Sequence, residues 1–204
     1  MKRDNIRIAI QKDGRLGKPS LACLESLGIR IPAQKNRALL ARCRNAPAEI
    51  MFVRHGDAPQ YVQCGAADFA IVGGNVLLEH AFKVRITKKL PFGRCSLVIA
   101  VPNASRIKSM ADLEGERIAT SYPNSLRKFL REHCINAAII EINGSVELAP
   151  ELGLADAICD LAQSGDTLRE NSLKPIATLF NSTAVLIESP FDSRRKSAFK
   201  KRFF

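Results

Sequence analysis

Residues 155–168, ADAICDLAQSGDTL, join a long apolar run directly to a turn-forming sequence. The first half of this stretch is a continuous apolar run interrupted by Asp156 and Asp160, which predicts a strand over 155–161, covered on both faces of a parallel sheet. Ser164-Gly165-Asp166-Thr167 then predicts a tight turn that opens a helix. This order places backbone N–H groups and a helix N-terminus at the carboxyl end of a strand, where open α/β sheets bind anions such as phosphate.

Short apolar runs alternate with helical patterns elsewhere in the chain, as expected for βα units in an α/β protein. A first series starts with the strand IRIAI (6–10), and a second series starts at GRCSLVIAVP (93–102). A helix is also predicted to start at Gly144-Ser145. The runs LKPIATLF and TAVLIES predict two adjacent antiparallel strands, because their connection through Asn181-Ser182 is short.

Composition favours a folded globular chain. The 204 residues are 46% hydrophobic, enough for one large or two small domains. The longest apolar stretches, such as 95–101, are too short to span a bilayer, and the N-terminus has no apolar signal core, so a cytoplasmic protein is expected. Six cysteines without a C-x-x-C pair argue against disulfides and a zinc cluster.

The net charge of +11 is concentrated at one end of the chain. SRRKSAFKKRFF (193–204) supplies six of the 31 basic residues and no acid, which leaves an excess of +5 elsewhere. The other basic residues are dispersed and match no nucleic-acid-binding motif, so an anionic substrate is favoured over nucleic acid. In the tail, Phe199 and Phe203 are four residues apart, and the sequence offers them nothing to pack on.

Five segments together resemble the ATP phosphoribosyltransferase family: IAIQKDGRL (8–16), GAADFAIVGGNVLLE (65–79), IATSYPNSLRKFL (118–130), INGSVELAP (142–150) and GLADAICDLAQSGDTLRENSL (153–173). The resemblance implies two α/β domains like those of type II periplasmic binding proteins, with the active site in the cleft between them. It assigns residues 1–92 and 176–204 to domain one and 93–175 to domain two. The implied reaction joins N1 of ATP to C1 of phosphoribosyl pyrophosphate and releases pyrophosphate, as the first step of histidine biosynthesis.

The resemblance also assigns the phosphoribosyl site. The turn Ser164–Thr167, including Gly165 and Asp166, would hold the 5′-phosphate through backbone N–H groups and its two hydroxyls, with the Asp166 side chain turned to solvent. Asp160 would accept hydrogen bonds from the ribose hydroxyls. Asp156 lies about 13 Å further back along a strand, too far to reach the same sugar, so a local structural role is the alternative for it.

A second anion site is expected at Gly144, for pyrophosphate, with Glu141 and Glu147 close by. Glu141 is the candidate ligand for Mg²⁺, a hard cation that bridges phosphate oxygens and keeps several waters. The alternative for Glu141 is a surface acid at the end of a strand.

Two arginines match the cationic groups of the family, Arg15 in KDGRL and Arg37 in KNRALL. Chemistry at C1 needs cations on the departing pyrophosphate rather than an acid–base pair, because ATP N1 is already a nucleophile. Lys12 and Gly14 would shape the same loop around ATP, while Arg37 could instead be a solvated charge. Tyr122 and the three histidines are interpreted as structural.

Resemblance also suggests how the chain assembles. It is expected to be a catalytic core without the regulatory domain of the long form, at least dimeric, with no nucleic-acid or membrane partner. A partner subunit related to histidyl-tRNA synthetase, as in the short form, is an open possibility. Two alternatives remain: a core that binds substrates but is inactive without a missing domain or partner, and a non-catalytic module that binds an anionic ligand.

Overall fold

The computed structural model describes residues 5–32 and 38–204. Its strands are β1 (Ile6–Gln11), β2 (Leu40–Arg42), β3 (Ala48–Val53), β4 (Phe69–Gly73), β5 (Arg85–Lys89), β6 (Cys95–Pro102), β7 (Arg117–Thr120), β8 (Ala138–Glu141), β9 (Ala157–Ala162), β10 (Leu173–Ser182) and β11 (Ala184–Glu188). Its helices are α1 (Gly17–Ser26), α2 (Ala58–Gln63), α3 (Gly74–Glu79), α4 (Pro123–Glu132), α5 (Asp166–Glu170) and α6 (Arg194–Phe203).

The chain divides into two compact units. The first contains the described residues up to Leu77, then Ala81–Gly93 and Thr183–Phe204, and the second contains Leu78–His80 and Arg94–Ser182. The expected boundary between residues 175 and 176 falls inside β10, because the whole of that strand pairs with β6 in the second unit. The division instead lies between Ser182 and Thr183.

The sheet of the first unit has the strand order β2-β3-β1-β4-β11-β5. Strand β1 runs parallel to β3 and β4, whereas β11 is antiparallel to β4 and β5. The carboxyl ends of β1, β3 and β4 therefore meet at one edge of the sheet, which is where α/β sheets place their ligand-binding loops.

Both faces of this sheet are covered. Ile8 and Ile10 on β1 pack with Leu24 of α1 and Phe199 of α6, while Ala9 points to the opposite face, toward Val62 of α2. The expectation that Phe199 and Phe203 have nothing to pack on is wrong. Phe199 is only 5% exposed, and its ring centroid lies 6.2 Å from that of Phe69 and 4.6 Å from that of Phe203.

The sheet of the second unit has the order β10-β6-β9-β7-β8. Strand β7 is parallel to β8 and β9, and β6 is antiparallel to β9 and β10. The predicted strand over 155–161 is β9, and it is covered on both faces as expected: Cys159 packs in the cluster with Leu126 of α4, and Ile158 in the cluster with Leu168 of α5.

Two local predictions are wrong. Strands β10 and β11 do not pair with each other, since β10 pairs with β6 and β11 with β4 and β5. The short connection between them carries the chain from one unit to the other rather than around a hairpin. The helix expected after Gly144-Ser145 is a single 3₁₀ turn over Val146–Leu148.

Among the described residues, none of the helices has the length and apolar character that a membrane span requires.

Candidate active site

A short loop follows β1 at the ligand edge of the first unit. The Lys12 N–H donates to the Val53 carbonyl oxygen at 2.9 Å, and the Leu16 N–H donates to the Gln11 carboxamide oxygen at 3.1 Å. Gly14 has φ +109, and a Cβ there would collide with the Gln11 side chain. The loop therefore folds around Gln11 and requires glycine at position 14. Sequence reasoning missed Gln11, whose role depends on how this loop closes around its side chain.

A cavity of about 490 Å³ adjoins this loop, and its lining includes Lys12, Arg54, His55 and Tyr61. Burial lowers the pKa of His55 below its usual value, and the nearby positive charge of Arg15 lowers it further. The imidazole of His55 and the ring of Tyr61 are suited to the flat base of a nucleotide. Lys12 and Arg54 share the lining with the carboxylates of Asp13 and Asp57, so the positive charge offered to an anionic end is local rather than a net excess. His55, interpreted from the sequence as structural, thus lies in the candidate site, and its position just after β3 was the available signal.

Of the two predicted arginines, Arg15 lies within the described residues and Arg37 does not. Arg15 is exposed on the loop. Its positive charge is close enough to His55, which lines the cavity, to lower the pKa of that imidazole. Arg37 lies outside the described residues, so its predicted role has no structural counterpart here.

The second unit has a comparable edge, where β7, β8 and β9 end. The Thr120 hydroxyl donates to the Cys159 carbonyl oxygen at 2.6 Å, which joins the ends of β7 and β9. The Ser121 hydroxyl donates to the Ile142 carbonyl oxygen at 2.6 Å and accepts from the Gly144 N–H at 3.4 Å. The structure therefore brings the predicted turn at Gly144 to the same sheet edge as the turn that follows β9.

The predicted phosphate turn opens α5. Gly165 is the residue before the helix and has φ +80, a conformation that glycine adopts without strain. The carboxylate of Asp166 accepts from the Ser164 hydroxyl and pairs with the Arg169 guanidinium, and both contacts lower its pKa. Asp166 is exposed, as expected, but it is bound to Ser164 rather than free in solvent.

A second cavity, of about 540 Å³, lies against this turn. Its lining includes Ser164, Gly165, Arg169 and Lys174. Two cations beside an exposed turn at a strand end make this region suited to an anion. Thr167, the last residue of the predicted set, is also exposed on the turn.

Asp160 is the partly buried acid of this edge. Burial, with a contribution from the negative charge of Glu147, raises its pKa to about 6, against the opposing effect of a hydrogen bond from the Leu161 N–H at 2.8 Å. A carboxylate has room for about four hydrogen bonds. Within the described ranges this N–H is the one donor recorded on the Asp160 carboxylate, so most of its accepting capacity remains for hydroxyl groups.

Asp156, four residues earlier, has a structural role. Its carboxylate accepts from the Arg117 backbone N–H at 3.0 Å and from the Arg117 guanidinium at 3.0 and 2.9 Å. The guanidinium contact is the largest cause of its lowered pKa. The local structural role given as the alternative for Asp156 is therefore confirmed.

Glu141 ends β8 at the same edge. Its side chain is 64% exposed, and its carboxylate lies 3.6 Å from the Arg127 guanidinium. Across residues 5–32 and 38–204 no group of three metal-ligating side chains is found. A single exposed carboxylate fits Mg²⁺ that is held mainly by substrate phosphates and water, and does not fit a metal caged by the protein.

These features define a class: two α/β units, each with its candidate binding loops at the carboxyl ends of parallel strands. The alkanesulfonate-binding protein SsuA from Xanthomonas axonopodis, solved with MOPS, shares this fold at a TM-score of 0.62 and 17% identity, covering 99% of this chain and 70% of that one. That likeness concerns the fold alone and confirms the expected type II periplasmic-binding-protein architecture.

The family model described as ATP phosphoribosyltransferase matches residues 54–202. The ATP phosphoribosyltransferase of Cytophaga hutchinsonii is 45% identical over 193 residues, which is 95% of this chain and 67% of that protein. A chain of the ATP phosphoribosyl transferase (HisG:HisZ) complex from Thermotoga maritima has a TM-score of 0.81 and 28% identity, covering 97% of this chain and 96% of that one.

The chain belongs to the ATP phosphoribosyltransferase family, which confirms the resemblance read from its sequence and places it among the transferases. It spans about two thirds of the length of the curated relatives it matches.

Proposed function

We propose that this chain transfers the phosphoribosyl group of phosphoribosyl pyrophosphate to N1 of ATP, as the first step of histidine biosynthesis in the cytoplasm. The observation that carries the proposal is the edge of the second unit, where the partly buried, donor-poor carboxylate of Asp160 lies near the end of β9 and the turn at 164–167 follows it. A sugar phosphate presents both complements, an anionic group and a row of hydroxyls.

In this proposal the turn binds the 5′-phosphate. The backbone N–H groups of the turn and the hydroxyls of Ser164 and Thr167 donate to the phosphate oxygens, and Arg169 and Lys174 add positive charge. The phosphate then replaces the Asp166 carboxylate as the acceptor of the Ser164 hydroxyl. Asp160 accepts from the ribose hydroxyls, which fixes the sugar so that C1 is open to attack.

The loop of the first unit binds ATP. Lys12 and Arg15 carry the positive charge, and Gly14 lets the backbone turn around Gln11. Tyr61 and His55 line the cavity that takes the adenine end. ATP N1 attacks C1 while the bond from C1 to pyrophosphate breaks, so the nucleophile needs no general base. The protein orients the two substrates and stabilises the leaving charge with cations, among them Arg15 and, as the family resemblance implies, Arg37.

Pyrophosphate occupies the turn at Gly144 in this proposal. Glu141, an exposed carboxylate at the end of β8, would be the protein ligand of Mg²⁺, which would supply positive charge to the departing pyrophosphate. The likeness to a chain of the HisG:HisZ complex supports a partner subunit for this chain as well. An assembly of at least two copies stays a prediction from the resemblance.

Isothermal titration calorimetry tests the two half-sites separately. Asp160→Asn should weaken phosphoribosyl pyrophosphate about tenfold or more, the order expected for losing charged hydrogen bonds. The matched change Asp156→Asn should leave that affinity within about twofold, since Asp156 is committed to Arg117. For ATP, Arg15→Ala should weaken binding by a similar factor, and the exposed Arg106, paired with Glu116, supplies the control variant Arg106→Ala.

Equal loss in Asp156→Asn and Asp160→Asn would contradict the assignment of the sugar site. Binding of ribose 5-phosphate as tight as that of phosphoribosyl pyrophosphate would argue that the Gly144 turn takes no pyrophosphate.

A further inference from the structure

Glu79 caps the N-terminus of α4, where it contacts Asn124, 45 residues later in the chain. Glu79 is the last residue of α3 and is only 5% exposed. The carboxylate accepts from the backbone N–H of Asn124 at 2.7 Å and of Ser125 at 2.9 Å, and the Asn124 side-chain amide donates to the Glu79 carbonyl oxygen at 3.3 Å.

The start of α4 needs such a cap. Tyr122, the residue before the helix, makes no side-chain capping bond, and Pro123 has no N–H, so Asn124 and Ser125 carry the first free donors of the helix. A carboxylate satisfies both donors and also interacts favourably with the helix dipole. Because Ser125 and Glu79 are both buried, removal of the carboxylate would leave these donors without water to replace it.

The capped turn directly follows the residues that join the candidate substrate loops. The Tyr122 N–H donates to the Thr120 hydroxyl oxygen at 2.8 Å, and that hydroxyl reaches the Cys159 carbonyl, next to Asp160. Ser121, between them, contacts the Ile142 carbonyl and the Gly144 N–H. A shift of the α4 start therefore moves Thr120 and Ser121, and with them the contacts to both loops.

We propose that Glu79 is a positioning residue for phosphoribosyl pyrophosphate: it holds the first turn of α4 and thereby sets the spacing of the Gly144 turn and the end of β9. The inference rests on the proposed function, because it takes these two loops as the sites of pyrophosphate and phosphoribose. Glu79 touches neither substrate in this account and acts through Thr120 and Ser121.

The test is the variant Glu79→Gln, which keeps the shape but supplies an acceptor for only one of the two N–H groups. The KM for phosphoribosyl pyrophosphate should rise about tenfold, the order that follows from one lost charged hydrogen bond, with the KM for ATP within about twofold. Amide hydrogen exchange at Ser125 should accelerate in the same variant, which shows that the cap itself is lost.

Asp68→Asn is the matched control. Asp68 is 8% exposed; one carboxylate oxygen accepts the Arg7 backbone N–H at 2.9 Å and the other lies 3.7 Å from the Arg195 guanidinium, so the amide variant loses a buried charged contact in the first unit. It should lower thermal stability and leave the KM for phosphoribosyl pyrophosphate within about twofold.

Two results would overturn the role of Glu79 and leave the proposed function standing. One is an equal rise in that KM for Asp68→Asn and Glu79→Gln, and the other is an unchanged KM in Glu79→Gln despite faster exchange at Ser125. If the wild-type protein fails to bind phosphoribosyl pyrophosphate by calorimetry, the proposed function fails and this inference with it.

Discussion

Asp156 immediately precedes β9 and Asp160 lies within it, four residues later, yet the two carboxylates have opposite surroundings. Asp156 is held by the Arg117 guanidinium and backbone N–H, which keeps its pKa below the usual value, whereas burial raises the pKa of Asp160 to about 6. One acid stabilises the fold and the other is held at a cost to stability. Such a cost is typical of functional positions.

Asp160→Asn should stabilise the protein at high pH. The folded-state pKa of Asp160 lies above the unfolded value near 4, so the contribution of this one group to stability rises as pH falls through about 6 and is lower above it. The variant should therefore be more stable than wild type at pH 8 by about 1–3 kcal/mol, with the difference gone near pH 4. Thermal or urea unfolding across pH 4–8 measures this. A variant less stable than wild type at pH 8 would show that the ionised form is stabilised by contacts other than those described.

Asp156→Asn should have the opposite effect. Its folded-state pKa is depressed, so its contribution is present above the unfolded pKa and is lost as pH falls through the lower folded value. Because the pair is partly exposed, we expect a loss of only about 1 kcal/mol at pH 7, shrinking with added salt. Urea unfolding at low and high salt measures both. A loss that is independent of pH would mean that packing rather than charge is affected.

Gly14→Ala should impair ATP binding as well as stability. Gly14 and Gly28 both have positive φ, at +109 and +82, but a Cβ at Gly14 meets the Gln11 side chain while one at Gly28 meets nothing within 4 Å. Both alanine variants should lose about 1 kcal/mol of stability from backbone strain. Only Gly14→Ala should also weaken ATP in calorimetry, and equal ATP affinity in the two variants would argue that the loop shape is unimportant for the nucleotide.

Phe199→Ala should destabilise the first unit strongly. The ring is buried against Phe69 and Phe203 beneath the sheet, so its removal should cost about 3 kcal/mol or more, measured by urea unfolding. Phe191, which is 62% exposed, provides the control and should cost well under half as much on the same scale. Similar losses in both would mean that α6 contributes little to the folded state.

The sequence predicted best what depends on neighbouring residues. The strand before residue 162, the turn at Gly165 and the start of α5 follow from a continuous apolar run and turn residues, and all three are present. The pairing of β10 failed because a short connection does not reveal that its two strands belong to different sheets. His55 and Glu79 were missed because their partners, Arg15 and Asn124, are distant in the chain. Gln11 was missed because its role depends on the exact path of the loop that closes around it.

Formation of phosphoribosyl-ATP by the purified protein is the direct test of the proposed reaction. Purified protein is mixed with ATP, phosphoribosyl pyrophosphate and Mg²⁺, with pyrophosphatase present, and the rise in product absorbance is followed. We expect a rise that requires both substrates and falls about a hundredfold or more in Arg15→Ala, the order found for removing one group that stabilises developing charge. No product from wild-type protein that binds both substrates would contradict the proposed reaction and would favour a binding core that is inactive by itself.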